Sequence, residues 1–211
     1  MKSIIVLICI LLSSVVLAAS EPPITKIVFR FIASDLQEGA AGAKPKTYYL
    51  AGDRYARIEQ ESDATLHSPS LIIVNEPDIW LMDLETKSGN HSVNPGPDFS
   101  VHNPILGPDS PEDLFDFEFG HEVEFLKRAR AKDLDSKEIR GRQCTTRQFE
   151  SGEYLVTIYL DAKKNSPVEL KAFKNGKIMF TIEYLNYDSG LPFDASLFQP
   201  PKGIKLAEQA Q

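Results

Sequence analysis

Apolar and polar residues alternate with a period of two through most of this chain, in short runs separated by turn residues, the pattern of antiparallel strands with one buried face. The first run covers 24–33. Runs at 47–50 and 55–60 follow, turned at Ala51-Gly52-Asp53-Arg54, and runs at 70–74 and 79–82 flank Asn75-Glu76-Pro77-Asp78, where proline fixes one dihedral and removes a donor. The stretch 83–89 then turns into a short polar strand at 90–93. The second half repeats the habit: 143–149 and 154–160 are joined by Glu150-Ser151-Gly152-Glu153, and 168–173 and 178–184 by Lys174-Asn175-Gly176-Lys177. Asn-Gly between alternating runs is a strong hairpin signal, because both residues tolerate the positive φ of a type I′ turn. These runs predict a mainly β (α+β) domain of roughly ten strands in a meander, a size at which a strongly twisted sheet curls, splits or closes, with curling favoured here.

One stretch interrupts the alternation. Pro95, Gly96, Pro97, Pro104, Gly107 and Pro108 make 94–109 a loop. Ser110-Pro111-Glu112-Asp113 then reads as a helix start, with Ser as N-cap, Pro at the first helical position and acids against the dipole. Leu114, Phe117, His121 and Phe125 recur at helical spacing, and Lys127, Arg128 and Arg130 suit a helix C-terminus. Phe117, Phe119, His121, Val123 and Phe125 also alternate as a strand would, so 111–126 has two readings. The caps favour a helical insertion at about 110–130, whose apolar face must be buried somewhere.

Residues 1–20 carry Lys2, an apolar run at 4–12 and the small-residue exit Leu17-Ala18-Ala19-Ser20, which predicts a cleaved signal peptide and a periplasmic protein not integral to the membrane. One domain is expected at 21–204, with 205–211 as a flexible tail. There are 23 basic residues, one of them Lys2, against 30 acidic ones, and this balance argues against nucleic acid as a partner. Beyond Cys9 of the leader, Cys144 is the lone cysteine, so no internal disulfide is expected; in its strand it reads as a small buried hydrophobe. The acids Asp109, Glu112, Asp113, Asp116, Glu118, Glu122 and Glu124 lack calcium-loop spacing and read as a solvated face. His67, His91, His102 and His121 are too dispersed for a metal pair. Neither a nucleophile elbow nor a phosphate-cradling loop is present, so no enzyme activity, cofactor or metal is expected.

Three segments carry a family resemblance. Leu71-Ile72-Ile73-Val74-Asn75-Glu76-Pro77-Asp78-Ile79-Trp80-Leu81-Met82-Asp83 resembles a strand, turn and strand of the outer-membrane lipoprotein carriers, the periplasmic chaperones of acylated lipoproteins. Phe193-Asp194-Ala195-Ser196-Leu197-Phe198-Gln199-Pro200-Pro201-Lys202-Gly203-Ile204 is similar to their Phe-x-Pro-Pro-x-Gly signature, and Pro167-Val168-Glu169-Leu170 with the Asn175-Gly176 hairpin to their late paired strands. The family's opening helix is missing, and its lid-latching Arg-Pro has no counterpart near Leu50-Ala51-Gly52. The resemblance implies an open antiparallel half-barrel with an acyl chain, lipid or lipoprotein held between sheet and lid. Size and alternation nominate Phe29, Phe31, Trp80, Phe117 and Phe125 as the lining of that apolar cavity. The alternative reading is a non-catalytic module that recognises other envelope proteins without a lipid ligand.

Overall fold

Alternation and turn chemistry produce one antiparallel sheet laid down as two meanders. The computed structural model describes residues 21–33, 36, 40–62 and 69–208; the leader at 1–20, His67 and the last residues, 209–211, lie outside them. The first meander comprises β1 (Ile24–Ile32), β2 (Lys46–Ala51), β3 (Tyr55–Glu59), β4 (Leu71–Asn75), β5 (Asp78–Asp83) and β6 (Ser88–Val93). The second comprises β7 (Lys132–Ile139), β8 (Arg142–Ser151), β9 (Tyr154–Asp161), β10 (Pro167–Lys174) and the long β11 (Lys177–Leu191). β1 pairs with β11 and joins them, and β12 (Lys205–Glu208) adds to the far edge, giving the order β12-β6-β5-β4-β3-β2-β1-β11-β10-β9-β8-β7. The ends do not meet, so the curled sheet stays an open half-barrel.

The ten strands expected from the sequence are all present, and the two further ones have physical reasons to be silent in it. Every residue of β7 except Ile139 is exposed, so no buried face imposes alternation on it. Its turn into β8 uses Arg140 at φ 50° beside Gly141 at φ 75°, a conformation that an arginine does not advertise. By contrast Asn175 (φ 51°) and Gly176 (φ 72°) adopt the positive φ values expected of their hairpin. Residues 205–208 are not a loose tail. They pair in parallel with Ser88 to His91, although all four side chains are exposed.

The long helix expected from Ser110 does not form. A short 3-10 turn, Glu112–Leu114, is followed by an extended bridge between Pro104 and Glu118, with Ile105 N–H donating to Phe117 O at 2.8 Å. Only then does α1 (Glu122–Arg128) begin. Gly120, at φ +85°, separates bridge from helix, and the Ser110 hydroxyl donates to Gly107 O instead of capping. Both periodicities in this segment are thus real, each over part of its length.

Register assigns the side chains to two faces. Leu50, Ala56, Val74 and Ile79 are successive cross-strand partners on the inner face, beneath the segment 94–131. Tyr49, Arg57, Ile73 and Trp80 form the matching row on the outer face. The inner core gathers Ile27, Phe29, Ile158, Leu170 and Ile182 with the lid's Leu114, Phe117, Phe125 and Leu126. A second core on the outer face holds Ile24, Leu71, Ile73, Trp80 and Met82 under Phe198, whose 3-10 turn (Ala195–Phe198) is capped by Asp194 accepting from Ser196 N–H at 2.9 Å. Phe193 stacks on Phe198, so the resemblance motif at 193–204 works as the cover of this second core.

β12 is held at its end by His91, whose ring lies 2.7 Å from Asp78 Oδ1 and 2.9 Å from Glu208 Oε2 and stacks on Trp80. Hydrogen bonding to Asp78, with that to Glu208 and both charges, raises the His91 pKa against partial desolvation. A raised folded value means that the contribution is complete below about pH 6.5 and is lost as pH rises through the folded value. Amide exchange at 205–208, corrected for intrinsic rates, is therefore expected to be more protected at pH 6 than at pH 8.5. In His91→Gln that difference disappears; equal protection at both pH values in the wild type would contradict the clamp.

Candidate functional site

The site is built from the inner face of the sheet and the segment that covers half of it. Over β1 and β8 to β11 the rings of the covering segment pack directly on the sheet. Phe119 stacks on Phe29 at 4.5 Å and meets Tyr48 at 5.2 Å, while Phe125 contacts Phe117 at 4.8 Å and Phe149 at 5.4 Å. Between the lid and β2, beside Leu50, Val101 and Phe119, the remaining space is about 10 Å³, barely room for one water. The hollow expected beneath the Phe-rich segment is thus occupied there by the lid's own aromatic rings. A solvent-open groove of about 570 Å³ runs along the lid instead, lined by Pro104, Ile105, Leu106, Pro108 and Phe115.

The other half of the inner face is different. Tyr48 on β2, Ile58 on β3, Ile72 on β4 and Leu81 on β5 are successive cross-strand partners and form one apolar row. Three inter-strand spacings make it about 14 Å long. Tyr48, Ile58 and Ile72 are half-buried and Leu81 is 37% exposed; the last three belong to neither core. Phe119 of the lid walls the row at its Tyr48 end, where burial pushes the tyrosine pKa up to about 12. This is a shallow apolar trough that the described part of the lid leaves open. Its residues lie in strands the sequence predicts, but which of two faces they occupy depends on register across four strands.

Of the five nominated residues, the structure brings four together. Phe29, Phe117 and Phe125 are buried in the inner core and Phe31 packs against it. Trp80 lies in the outer core, on the opposite face. Tyr48, Ile58, Ile72 and Leu81 are the residues sequence reasoning missed.

The lid is tied down by a buried carboxylate. Glu122, in the first turn of α1, is fully buried and not part of a solvated acidic face. Its Oε1 accepts from Tyr184 Oη at 2.9 Å, and its Oε2 accepts from Tyr187 Oη and from Gly120 N–H, each at 3.1 Å. Residues three apart on a strand normally face opposite ways. Here a register shift against β1 between Val28 and Phe29 inserts Leu185 as a bulge, and both tyrosines face Glu122. The sequence does hold a signal for this burial: Glu122, Phe125 and Leu126 share a helical face at i, i+3 and i+4. At Gly120 an added Cβ would stand 2.8 Å from Leu50 Cδ1, so glycine lets the lid backbone settle on β2. Weaker ties are Tyr154 Oη to Asp109 O at 3.1 Å and Ser151 Oγ to Asp113 at 2.6 Å.

Two further residues considered in the sequence are Cys144 and His121. Cys144 is a buried thiol whose pKa burial raises, the opposite of an activated nucleophile. His121 is exposed ahead of α1. Among the described residues no group of three or more His, Cys, Asp or Glu is placed to hold a metal, and no helix is long and apolar enough to cross a membrane.

No protein-family model matches the chain, and no curated protein matches it in sequence. Among solved structures, an uncharacterised conserved protein of Thermus thermophilus superposes with a TM-score of 0.50 at 10% identity, over 88% of this chain and 90% of its own. That likeness shows the fold. The MucA/MucB complex of Pseudomonas aeruginosa gives 0.45 at 9% identity, over 88% of this chain and 58% of that one. A Vibrio parahaemolyticus domain provisionally assigned to outer membrane lipoprotein sorting gives 0.37 at 10%, over 83% and 88%.

Burial pushes the Glu122 carboxyl up from 4.5 to about 7, against the hydrogen bonds it accepts. The folded chain therefore holds this proton more tightly than the unfolded one. The contribution is complete below pH 4.5 and is lost as pH rises through about 7. Chemical denaturation of wild type against Glu122→Gln is expected to show a difference that changes by about 2–3 kcal/mol between pH 5 and pH 8. A pH-independent difference would mean that Glu122 does not titrate in the closed lid. Glu122→Leu, which strands two tyrosine hydroxyls, is expected to cost about 2–4 kcal/mol at pH 5.

Proposed function

We propose that this chain is a non-catalytic, exported envelope protein that binds an acyl chain, free or attached to a lipid or lipoprotein, in the trough on the inner face of β2 to β5. The observation that carries this reading is the row Tyr48, Ile58, Ile72 and Leu81: apolar, continuous across four strands, and uncovered beyond Tyr48 by the described lid. A groove of this kind takes a linear hydrocarbon without chemistry, and each buried methylene contributes about 0.8 kcal/mol.

The lid belongs to the same reading. Its rings occupy the deeper half of the inner face, where more of a chain would lie once they withdraw. Glu122 with Tyr184 and Tyr187 then serves as the latch, in place of the arginine latch that the lipoprotein-carrier resemblance would supply. The half-barrel and the resemblance of the segments at 71–83 and 193–204 support a carrier. Aromatic rings filling the space under a closed lid fit an unloaded state.

Retention of radiolabelled palmitate in equilibrium dialysis tests the proposal. Ile72→Glu places a carboxylate in the middle of the trough, where a bound chain would have to desolvate it, and is expected to weaken retention about tenfold or more. Ile72 is only half-buried, so the variant is expected to keep its thermal midpoint within a few degrees. No retention by wild type, or equal retention by Ile72→Glu, would overturn the proposal.

A further inference from the structure

At one end of the trough stands a cation to which the described residues give no counter-ion. Lys46 is the first residue of β2, two positions before Tyr48, so strand alternation sets both on the inner face. Its cross-strand partner is Phe29, whose ring lies in the inner core. The Lys46 ammonium sits 5.7 Å from the centroid of Phe31, the next inner-face residue of β1, and Phe31 meets Phe180 at 5.6 Å. The side chain is half-buried, and desolvation lowers its pKa.

Three other cations of this half of the sheet have carboxylate partners. Arg30 pairs with Glu183 at 2.7 Å, Lys44 with Glu61 and Arg57 with Glu59 at 2.7 Å. Lys46 has no carboxylate among the described residues. A lysine drawn out of water onto aromatic rings and given no anion is costly to keep, and a methionine would fill the space without that cost. A long side chain of this kind can also simply snorkel, its stem on the rings and its head in water. The two roles differ in what they do to a ligand.

The registers fix the end of the sheet at which Lys46 lies. The end of β1, the start of β2 and the start of β11 come together there, and on the inner face the described residues leave Phe31 and Phe180 only half-buried. A chain lying along the row from Leu81 to Tyr48 would bring its terminus within reach of this ammonium, one strand repeat away.

We infer that Lys46 is the head-group contact of the trough and that the ligand class is a single acyl or alkyl chain ending in an anion, carboxylate or phosphate. This rests on the acyl-binding reading above and adds to it the chemistry of the head. Bound, the anion gives Lys46 the counter-ion that none of the described residues supplies, in surroundings where a charge-assisted hydrogen bond is stronger than in water.

Isothermal titration of the full chain at pH 7 with sodium decanoate, decyl phosphate and 1-decanol separates head from tail. The wild type is expected to bind both anions about tenfold or more tighter than the alcohol. In Lys46→Met the preference vanishes while 1-decanol affinity is unchanged, which also shows that the trough remains folded; Lys46→Arg keeps the preference. Equal affinities in the wild type, or a preference that survives in Lys46→Met, overturn the head-group role and leave acyl binding standing. Failure of the wild type to take up any of the three overturns the acyl reading and this inference with it.

Discussion

A sheet this wide cannot stay flat, and the surface it curls around is apolar; that constraint organises everything else in the molecule. Twelve twisted strands generate a concave face whose Ile, Leu, Phe and Tyr side chains must leave water. The chain answers with a single crossing segment, 94–131, and that segment is rich in phenylalanine because it has to fill a trough rather than pack against another flat layer. It covers β1 and the second meander well. It leaves the inner face of β3 to β5 half-covered, and that remainder of exposed apolar surface is the candidate site.

The lid is seated by burial and tuned by polarity. Stacking of Phe119 on Phe29 supplies contact area, as does the packing of Phe117 and Phe125, but apolar contact is non-directional and would tolerate several seats. Glu122 removes that freedom. A carboxylate buried without a cation is expensive, and it is tolerable here because two phenols and an amide converge on it. The bulge at Leu185 that turns both phenols inward is therefore as much a part of the lid as α1. A buried acid satisfied by neutral donors fixes one seat for the lid against β11.

Much of this architecture is legible in the residues. Ten strands and the Asn175-Gly176 hairpin follow from alternation and turn chemistry, and the curl follows from their number. β7 is silent because its side chains face water on both sides, so its placement comes from pairing with β8 alone. β12 is silent because a four-residue parallel pairing has no local signature. At 110–128 the helical and extended periodicities overlap, and Gly120 decides where one gives way to the other. The site is less legible than the fold. Trp80 has the size and alternation of a lining residue, yet register turns it to the outer face against Phe198, while Ile72 and Leu81 beside it face the trough. A one-residue difference in strand position reverses such an assignment, and nothing local in the sequence fixes it.

The central claim is that a linear hydrocarbon lies across β2 to β5 on the lid side of the sheet. Methyl NMR with carbon-13-labelled isoleucine tests it most directly, because Ile58 and Ile72 line the trough while Ile73, one residue away, points into the outer core. On addition of decanoate the account predicts ligand-to-methyl NOEs to Ile58 and Ile72 and none to Ile73. NOEs to Ile73 instead, or none to any isoleucine at saturating ligand, would contradict it.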